Sequence, residues 1–153
     1  MKQEIDQRLI KLIKDTRKLY NDREEDYDGK IIIGWEHKIT IRSPKLPIKI
    51  TKQESEDLLI KDLDKIMKAI KKLVKVELTN NQIFALTSLI YDIGIPAFRY
   101  SELLTEINKE NTIRVALLFK RWSKYLKTPV YKLAKRRKIE VALYLESNIK
   151  KDL

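Results

Sequence analysis

Three glycines and four prolines are all that punctuate this chain of 153 residues. Backbone breakers are too scarce for a loop-rich or many-stranded fold, so most of the chain must run as regular structure. Where apolar residues recur, they recur at helical spacing. Leu58, Leu59, Leu63, Ile66, Ile70, Leu73 and Val74 share one face of a long helix. Thr51 to Glu54 (TKQE) opens it with a capping box, in which hydroxyl and carboxylate each satisfy an orphaned backbone N–H. Thr79 to Gln82 (TNNQ) repeats the device ahead of Ile83, Leu86, Leu89 and Ile90. Gly94 fits the stop of that helix, and Pro96 begins the next segment. A first helix is predicted over residues 3–19, with Ile5, Leu9, Leu12 and Ile13 on one stripe. Further helices are predicted over 100–108, 112–125 and 129–146, the last with Thr128 as cap and Pro129 at its first position.

The β signal is confined to the N-terminal third. Asp28-Gly29 is a turn, Lys30 to Ile33 is a short β run, and residues 38–50, with Pro44 and Pro47, read as an edge strand and loop. The expected fold class is therefore α+β and mostly helical. A small β-hairpin lobe (1–51), a long connecting helix (52–75) and a helical lobe (76–153) make one domain. A cleft between two such lobes would suit a polymeric substrate.

Charge narrows the partners without choosing one. Thirty-three Lys and Arg against 22 Asp and Glu give +11, a field that attracts nucleic acid, anionic membrane surfaces or bacterial wall polymers. Much of it is lysine scattered over helix faces, which suits a solvated surface. The densest run is Lys132, Lys135, Arg136, Arg137 and Lys138, but no zinc-finger, RNP or G-x-x-G pattern accompanies it, so nucleic acid is the less favoured partner. Without cysteine there is no disulfide, thiolate nucleophile or thiolate metal site. His37 is the only histidine, and the acidic cluster Asp22, Glu24, Glu25, Asp26 and Asp28 lacks EF-hand spacing. No metal and no cofactor are expected. No apolar run approaches the ~18 residues of a membrane span. MKQEIDQRLIKLIK has no continuous apolar core, so it is expected to be the first helix rather than a signal peptide, in a monomer made in the cytoplasm.

One segment carries chemistry: Leu12 to His37, LIKDTRKLYNDREEDYDGKIIIGWEH. It resembles the active-site segment of the phage-type lysozymes, E-G-x-x-L-x-x-Y-x-D-x-x-G-x-x-T-I-G-Y-G-H. Laid on this chain without gaps, Asp26 takes the Asp position, Gly29 the turn glycine, and Ile33-Gly34-Trp35-Glu36-His37 the I-G-Y-G-H strand. Downstream, Ile50 to Leu63, Leu78 to Gly94, Ala97-Phe98-Arg99, Arg121-Trp122 and Arg136-Arg137 with Glu140 are similar to further family motifs in the same order. The resemblance covers roughly residues 8–147 and implies a lysozyme-like fold with peptidoglycan as substrate. In the family the first Glu is the catalytic acid, joined by the Asp and the Thr. Here Arg17 stands at the acid position, Ile32 at the Thr position, Glu36 at the second glycine of G-Y-G-H, and Asp92 at an Asn. The resemblance also places Tyr91 and Ser101 along the saccharide cleft and gives His37 a structural, hydrogen-bonding role.

Cleavage of a glycosidic bond normally takes one carboxylic acid to protonate the leaving oxygen and a second carboxylate as base or nucleophile. Arginine cannot deliver that proton near neutral pH, but it can pair with a carboxylate and hold it ionised, so Arg17 and Asp26 could form an ion pair. Three functions follow. The first is a non-hydrolytic lysozyme-like protein that binds wall glycan or a protein partner. The second is an atypical muramidase that uses Asp26 with Glu36 as the replacement acid. The third is a polyanion-binding protein on the same scaffold. Any wall-acting form would need a holin-like pore or lysis to reach its substrate.

Overall fold

The computed structural model describes residues 4–41, 43, 48–125 and 128–151. These divide into two compact units, Met1–Asp64 and Lys65–Leu153. The first unit opens with helix α1 (Gln7–Asp15), which is shorter than the apolar stripe predicts. Asp6 caps its start by accepting the Arg8 backbone N–H at 2.8 Å. Ile5 thus lies ahead of the helix, and the inward face is Leu9, Ile10 and Ile13, with Leu12 only half-buried. At the far end the Thr16 hydroxyl donates to the Leu12 carbonyl at 2.7 Å and the helix stops.

Strands β1 (Tyr20–Glu25), β2 (Ile31–Gly34) and β3 (His37–Lys38) then form an antiparallel sheet in sequential order. β1 reads YNDREE, has no apolar alternation and is nearly all exposed. It is extended because β2 pairs with it, Tyr20 opposite Gly34 and Glu25 opposite Ile31, with an irregular register between Tyr20 and Glu24. The predicted Asp28-Gly29 turn joins the two strands. Gly29 takes φ +78°, and its N–H donates to the Asp26 carbonyl at 3.0 Å. Gly34 has φ +64°, and a β-carbon there would lie 3.2 Å from Ile50 Cδ1, so only glycine suits this crossing. The predicted edge strand over 38–50 is reduced to β3 and a bridge between Asp22 and Lys49, with Arg42 and residues 44–47 outside the described residues.

Helix α2 (Lys52–Leu73) begins as the TKQE pattern predicts. Thr51 N–H donates to Glu54 Oε1 and Glu54 N–H to Thr51 Oγ1, both at 3.0 Å. The second unit holds α3 (Asn80–Ile93), α4 (Ile95–Arg99), α5 (Glu102–Asn108), α6 (Thr112–Phe119) and α7 (Tyr131–Lys151). Thr79 and Gln82 make the expected reciprocal cap, and Gly94 ends α3 by donating to the Ile90 carbonyl at 2.7 Å. The segment begun by Pro96 is itself a short helix, α4. Two expectations are corrected. The predicted helix over 112–125 stops at Phe119 and continues as a 3-10 turn, Lys120–Ser123. Thr128 and Pro129 form strand β5, paired with β4 (Lys124–Tyr125), so α7 starts at Tyr131 rather than at Pro129.

The core of this unit gathers Leu86, Leu89 and Ile90 of α3, Phe98 of α4, Leu103 and Ile107 of α5, Val115, Leu118 and Phe119 of α6, and Tyr144 of α7. Phe98 is wholly buried, and Trp122 packs half-buried against the cluster. The arrangement is a mostly helical α+β fold, with the three-stranded sheet in the N-terminal third. Among the described residues no helix is long and apolar enough to cross a membrane.

Candidate functional site

Arg17 follows the C-cap of α1 directly, in the short bend before β1. A cation would be expected at the surface, yet Arg17 is only 7% exposed, and its Nη1 donates to Thr16 Oγ1 at 2.8 Å. The same Thr16 hydroxyl closes α1, so the helix end and the guanidinium share one hydrogen-bonded group.

Asp26 begins the β1–β2 turn. Its Oδ1 accepts the Tyr27 N–H at 2.7 Å, and its backbone bridges the turn to Lys30 and Gly29. The carboxylate is thereby oriented by its own loop, and it is half-buried. Six residues on, Ile32 sits in the middle of β2 and is 1% exposed. It is a core residue of this unit, and it brings no hydroxyl to the site.

Glu36 lies in the two-residue connection between β2 and β3, with φ +61°. This is the left-handed region that glycine occupies readily and a side chain with a β-carbon does not. The tight turn between β2 and β3 imposes the conformation, and the chain meets it without glycine. His37 opens β3, and its Nδ1 lies 2.5 Å from Asp62 Oδ2 of α2, tying sheet to helix within the first unit. Sequence reasoning misses Asp62, since nothing local marks a carboxylate 25 residues away as the partner of a histidine. Lys14 adds a second tie from α1 to Glu56 of α2, and its Nζ stands 5.5 Å from the centroid of the half-buried Trp35 ring.

In the second unit, Tyr91 is half-buried near the end of α3 and packs against the core. Ser101 is the N-cap of α5. Its hydroxyl donates to the Phe98 carbonyl at 2.7 Å and accepts the Leu104 N–H at 3.2 Å. Its side chain therefore has a structural duty whatever else it meets.

The basic run on α7 is not the continuous surface patch its sequence suggests. Lys132, Lys135 and Lys138 are exposed, but Arg136 and Arg137 are buried. Arg136 Nη1 donates to both carboxylate oxygens of Asp92, at 2.9 and 2.8 Å. Arg137 forks onto buried Glu140 through Nε at 2.5 Å and Nη2 at 2.9 Å, and Nη2 also reaches Asp92 at 2.6 Å. Burial works against the charged form of Arg137, but Glu140 and Asp92 outweigh it and hold the guanidinium protonated beyond its ordinary range. On the surface, Glu102 accepts from Arg114 at 2.7 Å and Arg121 at 2.6 Å, which lowers its pKa from the ordinary carboxylate value. Among the described residues no group of three His, Cys, Asp or Glu side chains is arranged to hold a metal ion.

Residues 16–140 match the family model described as phage lysozyme. The chain is 39% identical over 113 residues to the endolysin of Salmonella phage P22, across 74% of this chain and 77% of that protein. It is 37% identical over 112 residues to the endolysin of Bacillus phage PZA, across 73% of this chain but only 43% of that longer protein. Among solved structures, the muramidase domain of SpmX from Asticcacaulis excentricus is similar, with a TM-score of 0.77 and 29% identity over 93% of this chain and 97% of that one.

Proposed function

Since the chain belongs to the phage lysozyme family, we propose that it is a wall-glycan-binding lysozyme homologue with weak or absent hydrolysis. The observation that carries this reading is Arg17, a buried guanidinium at the position where the family motif has its acid. A group with a pKa above about 12 gives up no proton to a leaving oxygen at neutral pH. Loss of a general acid alone typically lowers a rate by about 10²–10⁴-fold. Ile32 compounds it, because an apolar side chain packed into the core positions no water. In this reading Asp26, oriented by its own turn, serves substrate orientation. Tyr91 is the main candidate for retained contact with the glycan. Peptidoglycan is the ligand class.

A second reading keeps an activity, with Glu36 as a relocated acid beside Asp26. The observation in its favour is the backbone of Glu36: a non-glycine residue held at positive φ stores strain, and such strain collects at functional positions. The polyanion reading is weakened, since Arg136 and Arg137 are committed to Asp92 and Glu140.

The test is turbidity clearing of outer-membrane-permeabilised cells, run beside co-sedimentation with purified wall sacculi. The wild type should sediment with sacculi and leave cells turbid, and Arg17→Glu should gain measurable clearing. Tyr91→Ala should weaken sedimentation. Clearing by the wild type at the rate of an active family lysozyme would sink the proposal. If Glu36→Gln then abolished that clearing, the second reading would replace it.

A further inference from the structure

The second unit carries a groove, of about 670 Å³, between the 3-10 turn after α6 and the first three turns of α7. Its apolar lining comes from Tyr131, Ala134 and Val141, which fall on one face of α7. Lys120, Lys135 and Lys138 stand around it. None of these lysines pairs with a carboxylate among the described residues, whereas Arg114, Arg121, Arg136 and Arg137 of the same unit do. Arg137 also borders the groove, but its charge is already balanced from behind by Glu140 and Asp92. The groove therefore offers an apolar trough with an uncompensated positive rim.

Exposed apolar side chains also lie on α6, the helix that leads into the turn bearing Lys120. Ile113, Leu117 and Lys120 are spaced i, i+4, i+7, so α6 leads an exposed stripe toward Lys120. Ile113 is 78% exposed and Leu117 52%, and Tyr131, at the other helix, is 84% exposed. Large apolar side chains left in water in sequence-spaced rows, beside a groove and under a rim of one charge, mark an interaction surface. From Tyr131 to Val141 the trough is about 15 Å long, the span of two to three turns of a partner helix.

We infer that this groove docks an acidic amphipathic helix from another protein. The apolar face of such a helix would fill the trough over Ala134 and Val141, and its Asp or Glu flanks would meet Lys120, Lys135 and Lys138. A small anionic ligand would leave most of the apolar trough unfilled, which is why the elongated partner is preferred. The inference does not depend on whether the chain cleaves glycan, since none of these residues belongs to the site around Arg17, Asp26 and Glu36.

The experiment is selection of a helical peptide-display library on the full chain, followed by binding of the enriched peptides by fluorescence anisotropy and backbone amide NMR. Enriched peptides should carry net negative charge with apolar residues at i, i+3 or i+4, and i+7. They should shift the amides of Leu117, Ala134, Lys135 and Val141. The double variant Lys135→Glu, Lys138→Glu changes only exposed side chains, so it should keep its circular dichroism spectrum and melting temperature. It should bind those peptides about tenfold more weakly. Enrichment of neutral or basic sequences, amide shifts confined to other faces, or equal binding by the folded double variant would overturn the inference. Phosphatidylglycerol vesicles serve as the competing probe. If they perturb the groove amides while no acidic peptide does, the surface is a lipid site and the inference fails.

Discussion

Replacing Asp92 with Asn should destabilise the helical unit by about 2–4 kcal/mol, and removing Arg136 as well should recover part of the loss. Asp92 accepts from Arg136 at 2.8 Å and from Arg137 at 2.6 Å, and all three groups are largely removed from water. With Glu140 on the other side, two guanidinium groups face two carboxylates. The Asp92→Asn change would leave one buried positive charge in excess, and stranding a buried charge in this way costs about 3–5 kcal/mol. The new amide oxygen still accepts one hydrogen bond, which offsets about 1 kcal/mol. In the double variant Arg136→Met, Asp92→Asn, what remains is Arg137 forked onto Glu140 at 2.5 and 2.9 Å, a pair with no net charge. The double variant should therefore be more stable than Asp92→Asn alone. Urea unfolding followed by far-ultraviolet circular dichroism measures both, and urea avoids the ionic screening that guanidinium chloride brings. A loss below about 0.5 kcal/mol for the single change, or a double variant less stable than the single, would refute the argument that charge balance governs this cluster.

Glu36→Gly should raise stability by about 1 kcal/mol, because glycine relieves the left-handed backbone at φ +61°; an unchanged or lowered melting temperature would show that the Glu36 side chain repays its strain through contacts. Burial raises the Tyr144 pKa to about 12, so an ultraviolet titration should show a phenol ionising near that pH, and Tyr144→Phe should remove it. Below its unfolded value of 10.0 Tyr144 costs nothing in ionisation, and its contribution to stability is lost as pH climbs from there through about 12. For Glu102 the sign is opposite: its pKa is lowered by Arg114 and then Arg121, so the clamp's contribution is present above 4.5 and disappears as pH falls through the lowered value. Carboxyl carbon NMR should find that midpoint below 4.5, and a value at or above it would mean the arginines do not hold the group in solution.

Features closed within a few residues were legible without coordinates. The two capping boxes, the Asp28-Gly29 turn, the face of α2 and the glycine stop of α3 each depend on groups three or four positions apart, and each stands where the pattern put it. Boundaries set by tertiary partners were not. β1 has a polar, exposed sequence and is extended because β2 pairs with it. Thr128-Pro129 had the signature of a helix start, yet pairing with β4 makes it a strand. The identities of Arg17, Ile32 and Glu36 at their motif positions were plain from the sequence, and so was the doubt they cast on acid catalysis. What they do to the fold was not. That Arg17 is buried, that Ile32 is part of the core, and that Glu36 is held at positive φ are consequences of packing and of a two-residue connection between strands.

The basic run on α7 shows the same division most clearly. Composition counts five cations there and cannot separate them, because solvation depends on which side of the helix meets protein. Folding brings Asp92, 44 residues from Arg136, against the inward face and neutralises Arg136 and Arg137 with Glu140. Lys135 and Lys138 face outward beside an apolar groove. Local hydrogen bonding and helical periodicity, both short in range, placed most of the helices from sequence alone, and the order of the motif residues carried the family resemblance. Long-range burial and charge pairing, which require the chain to close on itself, decided which of its charges are structural and which remain on the surface to meet a partner.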